Sequence, residues 1–143
     1  EWNPAGSWYD RDASAQCVFT MTDGVVFNYR GSWCSEGLNT SWDCDWRVVG
    51  EKGSVRWDGR DQIEAEVVRG QTGFISPCDR ITVPVSPVSG METGHKGVIT
   101  EFLRCVRAGT VPETVCTDNI KSLAMVFGAI RSAERHARVV IHP

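Results

Sequence analysis

Apolar and polar positions alternate through most of the first 90 residues, and then the period changes. Over 15–21, Ala15, Cys17, Phe19 and Met21 share one side, the period of two that a half-buried strand requires. Thr22-Asp23-Gly24 supplies a tight-turn signal, and the alternation resumes over 25–34. There Val25, Phe27, Tyr29, Gly31 and Trp33 oppose Asn28, Arg30 and Ser32. After a polar stretch over 35–41, Trp42, Cys44, Trp46 and Val48 alternate with Asp43, Asp45 and Arg47. Gly50-Glu51-Lys52-Gly53 predicts a hairpin turn into a strand through Val55 and Trp57. Asp58-Gly59-Arg60-Asp61 predicts another, into 62–68, where Ile63, Ala65 and Val67 oppose Glu64 and Glu66. The pattern is a meander of about five antiparallel strands with aromatics on one face and charges on the other.

Residues 70–93 are rich in Gly, Pro and Ser and hold one short strand candidate, 80–85. They read as a connecting loop. From 95 to 108 the period lengthens, and Val98, Ile99, Phe102, Leu103 and Val106 form a helical stripe closed by Gly109 and Pro112. Thr117 is placed as the N-cap of a second helix with Asp118 in its first turn. Its stripe is Ile120, Leu123, Ala124, Phe127, Ile130 and Ala133, and 138–142 reads as a last short strand. Helix stripes and an aromatic sheet face need each other. The fold class is therefore α+β, an open and mainly antiparallel sheet with two C-terminal helices packed on one face.

At 143 residues the chain has the length of one domain. Its 41% hydrophobic and 23% charged residues belong to a folded protein rather than a disordered one. A net charge of −3 with no basic stripe argues against nucleic acid as a partner. No apolar run is long enough for a membrane span, and no signal-peptide pattern opens the sequence. The chain begins at Glu1 rather than Met, which reads as a processed or excised piece. Six cysteines, Cys17, Cys34, Cys44, Cys78, Cys105 and Cys116, invite a disulfide framework. Yet none is spaced C-x-x-C, and Cys17, Cys34 and Cys105 sit beside apolar residues, where Cys serves as a small hydrophobe. Reduced, cytoplasmic thiols are the favoured reading, disulfides the second and a zinc site the third.

Catalytic motifs are scarce. Gly50-Glu51-Lys52-Gly53 lies in a hairpin, not before a helix, so it is no phosphate loop. There is neither G-x-S-x-G nor H-E-x-x-H, and three histidines leave little for a nucleophilic triad. Asp43 and Asp45 share a strand face, but interleaved Arg47 and Arg30 favour a salt-bridged surface over an acid/base couple. No catalytic or metal-binding residue is assigned. The polar face itself has two readings, solvated surface or a two-fold subunit interface. Trp33, Trp42 and Trp46 surround the polar loop, and Trp42 is the one placed to face a cleft.

Gly-Ser-Trp-Cys-Ser-Glu-Gly (31–37), Thr-Ser-Trp (40–42), Trp-Arg-Val-Val-Gly-Glu-Lys-Gly-Ser-Val (46–55) and Trp-Asp-Gly (57–59) follow one another in a recognisable order. They continue into Gly-His…Glu-Phe-Leu (94–103), Gly-Thr-Val-Pro-Glu-Thr (109–114) and Asp-Asn-Ile-Lys-Ser-Leu-Ala-Met-Val (118–126). Over nearly the whole chain this order resembles the C-terminal domain of the glucose–fructose oxidoreductase/inositol dehydrogenase/MocA (Gfo/Idh/MocA) family. The resemblance implies a substrate-binding and oligomerisation domain of an NAD- or NADP-dependent oxidoreductase acting on a sugar or polyol. It also implies what is missing. The dinucleotide fingerprint, the Glu-Lys-Pro segment with its catalytic lysine and the Asp/His pair precede the matched region in that family. Glu51-Lys52-Gly53 matches the hairpin turn instead. Hence this chain alone is expected to be inactive, to bind no cofactor and to work with a Rossmann domain.

Two positions carry over from the resemblance as substrate-binding: Trp42 with Asp43, ahead of the strand to Val-Gly-Glu, and His95, seven residues before Phe102. At a helix N-terminus His95 would be disfavoured as the cation. His136 departs from the family, whose members often have Gly there, so that helix end is expected to differ. The same resemblance favours the interface reading of the polar face, with Asn28, Arg30, Ser32, Asp45 and Arg47 in a homodimer or higher homo-oligomer. Two alternatives from other classes stand beside it. One is a secreted carbohydrate-binding module, suggested by six Trp and six Cys; the other is a stand-alone protein-association scaffold.

Overall fold

The computed structural model of the chain describes residues 8–10, 13–70, 73–84 and 93–142. Six strands and two helices occur among them, in two compact units: Glu1–Ser35 with Glu92–Pro143, and Glu36–Met91. The fold is α+β, with open antiparallel sheets followed by two helices.

In the first unit, β1 (Ser14–Thr20) and β2 (Val26–Ser32) form a two-stranded antiparallel ribbon. The register pairs Cys17 with Tyr29 and Phe19 with Phe27, and the two phenyl rings stack 5.8 Å apart. The connecting turn is the expected one: Asp23 and Gly24 adopt positive φ, and the Met21 amide donates to Val25 O at 2.7 Å. Helix α1 (Gly94–Ala108) ends at Gly109, whose left-handed conformation lets its N–H donate to Cys105 O. Helix α2 (Cys116–Arg135) starts earlier than the Thr117 signal, with Val115 as its extended N-cap residue and no side-chain cap. The Val115 carbonyl accepts from the amides of Asp118 and Asn119, which leaves Thr117 inside the first turn. At the other end His136 adopts the left-handed conformation itself (φ 49°, ψ 39°), donating to Ala133 O and Ser132 O, and Ser132 Oγ donates to Ala137 O at 2.7 Å. The left-handed helix end that glycine commonly occupies is here formed with a histidine. Beyond it, 138–142 forms no strand. The Ile141 side chain lies instead against buried Gly128 of α2, occupying the space a Cβ would need.

The second unit is a four-stranded antiparallel sheet, β3 (Trp46–Gly50), β4 (Gly53–Trp57), β5 (Ile63–Val68) and β6 (Cys78–Thr82), paired in sequence order. The meander is therefore not one sheet: β2 and β3 do not pair. The chain between them takes positive φ at Gly37, Leu38 and Cys44, which breaks strand alternation, so the strand expected from Trp42 begins at Trp46. Strand β6 lies two residues earlier than the composition suggested, and its expected end at 85 falls outside the described residues, as do 71–72 and 86–92. Register sorts the faces cleanly. Trp46, Trp57 and Ile63 form one row and Val48, Val55, Ala65 and Ile81 the next, on the apolar face. Arg47, Arg56, Glu64 and Thr82, then Val49, Ser54, Glu66 and Arg80, line the other.

Among the described residues only small ones are buried: Ala13, Ala65 and Cys105 among the hydrophobics, with Gly59 and Gly128. The helix stripes are real in their spacing, but Val98, Phe102, Leu123 and Phe127 remain half exposed.

Candidate functional site

Two features of the four-stranded sheet bear on function: a framed loop at one end, and the charged face. The loop begins at Ser41, whose carbonyl accepts from the Cys44 amide at 3.2 Å, closing a turn over Trp42 and Asp43. Ser41 Oγ donates to Gly59 O at 3.0 Å, tying this turn to the one between β4 and β5. That second turn is built by Asp58, whose Oδ1 accepts from the amides of Arg60 (2.9 Å) and Gln62 (3.1 Å). Gly59 sits buried between them at φ +74°, with Cys44 O and Ser41 Oγ where a Cβ would go.

The cross-strand pair Trp46 and Trp57 fastens the same corner. Trp46 Nε1 donates to Asp43 O at 2.8 Å, and Trp57 Nε1 donates to Arg60 O at 2.9 Å. Both indoles thus bury part of their rings against the sheet while their N–H groups hold the two turns. Trp42 is used differently: it is 82% exposed at the tip of the loop. Asp43, exposed next to it, contributes its backbone carbonyl to the frame and makes no ion pair among the described residues.

On the charged face, Arg47 stands directly opposite Arg56, a pairing that costs energy unless acids intervene. Asp45 does so: it takes a two-pronged bond from Arg56, Nε to Oδ1 at 3.2 Å and Nη2 to Oδ2 at 2.6 Å. This hydrogen bond holds the Asp45 carboxyl below the usual aspartate range and raises the guanidinium of Arg56. A second diagonal pair joins Arg80 to Glu64. Arg47 and Glu66 are left with no ion pair among the described residues. All six side chains border one shallow depression of about 570 Å³.

A scan of family models, of curated proteins and of solved structures finds no match to this chain.

The sequence-derived candidates therefore divide between the units. Trp42 and Asp43 share the framed loop, and Asp45 and Arg47 share the charged face beside it. His95 lies in the first turn of α1, exposed, in the other unit. Asn28, Arg30 and Ser32 form one face of the β1–β2 ribbon, opposite Val18, Gln16 and Ser14. Ser32 Oγ accepts from Ser14 Oγ at 2.6 Å and from the amides of Cys34 and Ser35, so it caps the end of the ribbon. Among the described residues no group of three or more His, Cys, Asp or Glu side chains could hold a metal ion, and no helix is long and apolar enough to cross a membrane. Arg80 joins the charged face because β6 pairs with β5, whereas the sequence reads 70–93 as a connecting loop and its strand candidate 80–85 carries no sign of joining the sheet. The frame residues Ser41, Asp58 and Gly59 carried a turn signal but no hint that the two turns dock.

Proposed function

We propose that this chain is the substrate-binding and oligomerisation part of an NAD- or NADP-dependent oxidoreductase acting on a sugar or polyol. The observation carrying this reading is the loop at 41–44. An indole and a carboxylate stand side by side on a turn fixed by three independent hydrogen bonds, Ser41 to Gly59, Trp46 to Asp43 O and Cys44 to Ser41. A pyranose or cyclitol offers an apolar C–H face to an indole and hydroxyl donors to a carboxylate. A fixed turn lowers the ordering cost of such weak contacts.

On this reading the cofactor belongs to a nucleotide-binding Rossmann domain, which also supplies the catalytic lysine, and the enzyme works in the cytoplasm. Residues 1–143 then contribute substrate contacts and the homo-oligomer contact. Calorimetric titration of the chain with a cyclitol and an aldohexose tests it. Weak binding that Trp42→Ala abolishes and Asp43→Asn reduces is the expected outcome. Tight NAD(P)H binding by these residues, or no polyol binding up to tens of millimolar, overturns it. A carbohydrate-binding module would share the Trp42–Asp43 contact. It is separated by its thiols: six free in the denatured, unreduced protein support the oxidoreductase reading, and none supports a secreted module.

A further inference from the structure

We propose that the 41–44 loop recognises a protonated primary amine, so that the ligand it takes is an amino sugar or an aminocyclitol. The inference rests on the reading of this loop as the substrate site and narrows the class of molecule bound there. Hydrogen-bonding capacity is the starting point. The Thr40 hydroxyl donates to Ser41 O at 3.0 Å, the Ser41 hydroxyl to Gly59 O at 3.0 Å, and the Trp46 indole N–H to Asp43 O at 2.8 Å. The Cys44 thiol donates to Trp42 O. These donors are spent on holding the turn. At its two corner positions the turn exposes the Trp42 indole, 82% exposed, and the Asp43 carboxylate. Asp43 makes no ion pair among the described residues.

A carboxylate accepts hydrogen bonds and donates none. A sugar hydroxyl both donates and accepts, so Asp43 satisfies only half of it. An ammonium has three donors and no acceptor, and every hydrogen it directs at Asp43 is used. It gains a second time from the indole, whose π face attracts a cation within about 6 Å of the ring centre. Adjacent α-carbons lie about 3.8 Å apart, so one ammonium can touch both side chains.

The wider corner agrees in sign. Segments 41–46 and 57–62, joined by the Ser41 to Gly59 bond, hold Asp43, Asp45, Asp58 and Asp61 against Arg60 alone. Arg56 neutralises Asp45, which still leaves three carboxylates to one guanidinium. Such a surface draws a cation and repels a phosphorylated or uronic sugar. Both contacts are open to water and therefore modest. An exposed ion pair and an exposed cation–π contact each strengthen binding a few-fold, about tenfold together.

Calorimetric titration of the full chain at about pH 6 with glucosamine, glucose and glucuronate tests the proposal, since the three share a pyranose ring and differ in charge. Far-UV circular dichroism checks that each variant is folded. At low salt glucosamine should bind about tenfold tighter than glucose, with glucuronate the weakest. High salt should shrink the difference, because the ion-pair share is screened. Asp43→Asn should cut the preference for glucosamine to about threefold, the share left to the indole. Asp43→Glu should keep most of it, and Trp42→Ala should abolish binding of both sugars. Equal affinity for glucosamine and glucose overturns the amine assignment and leaves the polyol reading standing. So does tighter binding of glucuronate, or a glucosamine preference indifferent to Asp43→Asn. Binding of none of the three up to tens of millimolar overturns both.

Discussion

Replacing Gly59 by Ala tests whether the two turns at the end of the four-stranded sheet hold one another. The methyl group meets two penalties. At φ +74° an L-residue costs about 1–2 kcal/mol. The Cβ also lands on Cys44 O and on Ser41 Oγ, one of them backbone that cannot swing aside. Relief requires the 41–44 turn to retreat, at about 1 kcal/mol for the Ser41 to Gly59 hydrogen bond and at least 1 more for overpacking. The total is about 3–4 kcal/mol. Gly70→Ala is the matched control in the same unit: its φ is +73°, yet nothing lies within 4 Å of the added carbon. It should cost only about 1–2 kcal/mol. Urea unfolding followed by tryptophan emission measures both. With a slope near 2 kcal/mol per molar, the midpoints of the two variants should differ by about 1 M. If they coincide, the docking of the two turns contributes nothing beyond backbone strain, and the frame around Trp42 and Asp43 is not rigid in the sense argued above.

Three further outcomes follow from particular contacts. His136→Gly should raise stability by about 1 kcal/mol in thermal or urea unfolding, because glycine enters the left-handed conformation at the end of α2 without penalty; an unchanged or lower midpoint contradicts this. The Glu101 carboxyl is held below the usual glutamate range by Arg104, through bonds of 2.8 and 2.9 Å, and by the Cys105 thiol. A depressed carboxyl stabilises the fold at neutral pH and loses that contribution as pH falls through its lowered value. Glu101→Gln should therefore flatten the acid limb of the stability curve, and a variant with the same acid slope as the parent refutes the assignment. Native-state labelling with a disulfide reagent should modify exposed Cys44, Cys78 and Cys116 first and buried Cys105 last; early reaction at Cys105 would contradict its burial.

Most of the fold could be read from local periodicity, since period-two runs in β1, β2, β4 and β5 and the stripe of α1 need no tertiary information. What escaped was decided by contacts between distant residues. The start of β3 moved from 42 to 46 because Ser41, Cys44 and the Trp46 indole build a turn whose partners lie near Gly59, some 15 residues onward. The alternation of Trp42 and Cys44 with Asp43 is genuine in sequence but is spent on a loop. Val115 leads α2 without a capping side chain, against a propensity worth only about 1 kcal/mol. At the tail, 138–142 has strand-like residues, yet Ile141 settles on Gly128. In the candidate site, the polar character of Asp43, Asp45 and Arg47 was visible at once. Which charges pair required the register, and Arg80 required knowing that β6 pairs with β5.

The different employment of the tryptophans has an optical consequence. Trp46 and Trp57 hold their indole N–H groups on fixed carbonyl oxygens, whereas Trp8, Trp33 and Trp42 are largely exposed. The emission of the protein is then a composite, with a steady contribution from the sheet corner and a red-shifted one shared among several rings in water. A polyol stacking on Trp42 alone would change only a fraction of that signal, and a bulk quenching curve would understate occupancy. Fluorine-labelled tryptophan removes the ambiguity, since each ring gives its own resonance. The line of Trp42 should move on ligand addition while those of Trp46 and Trp57 stay in place as an internal reference.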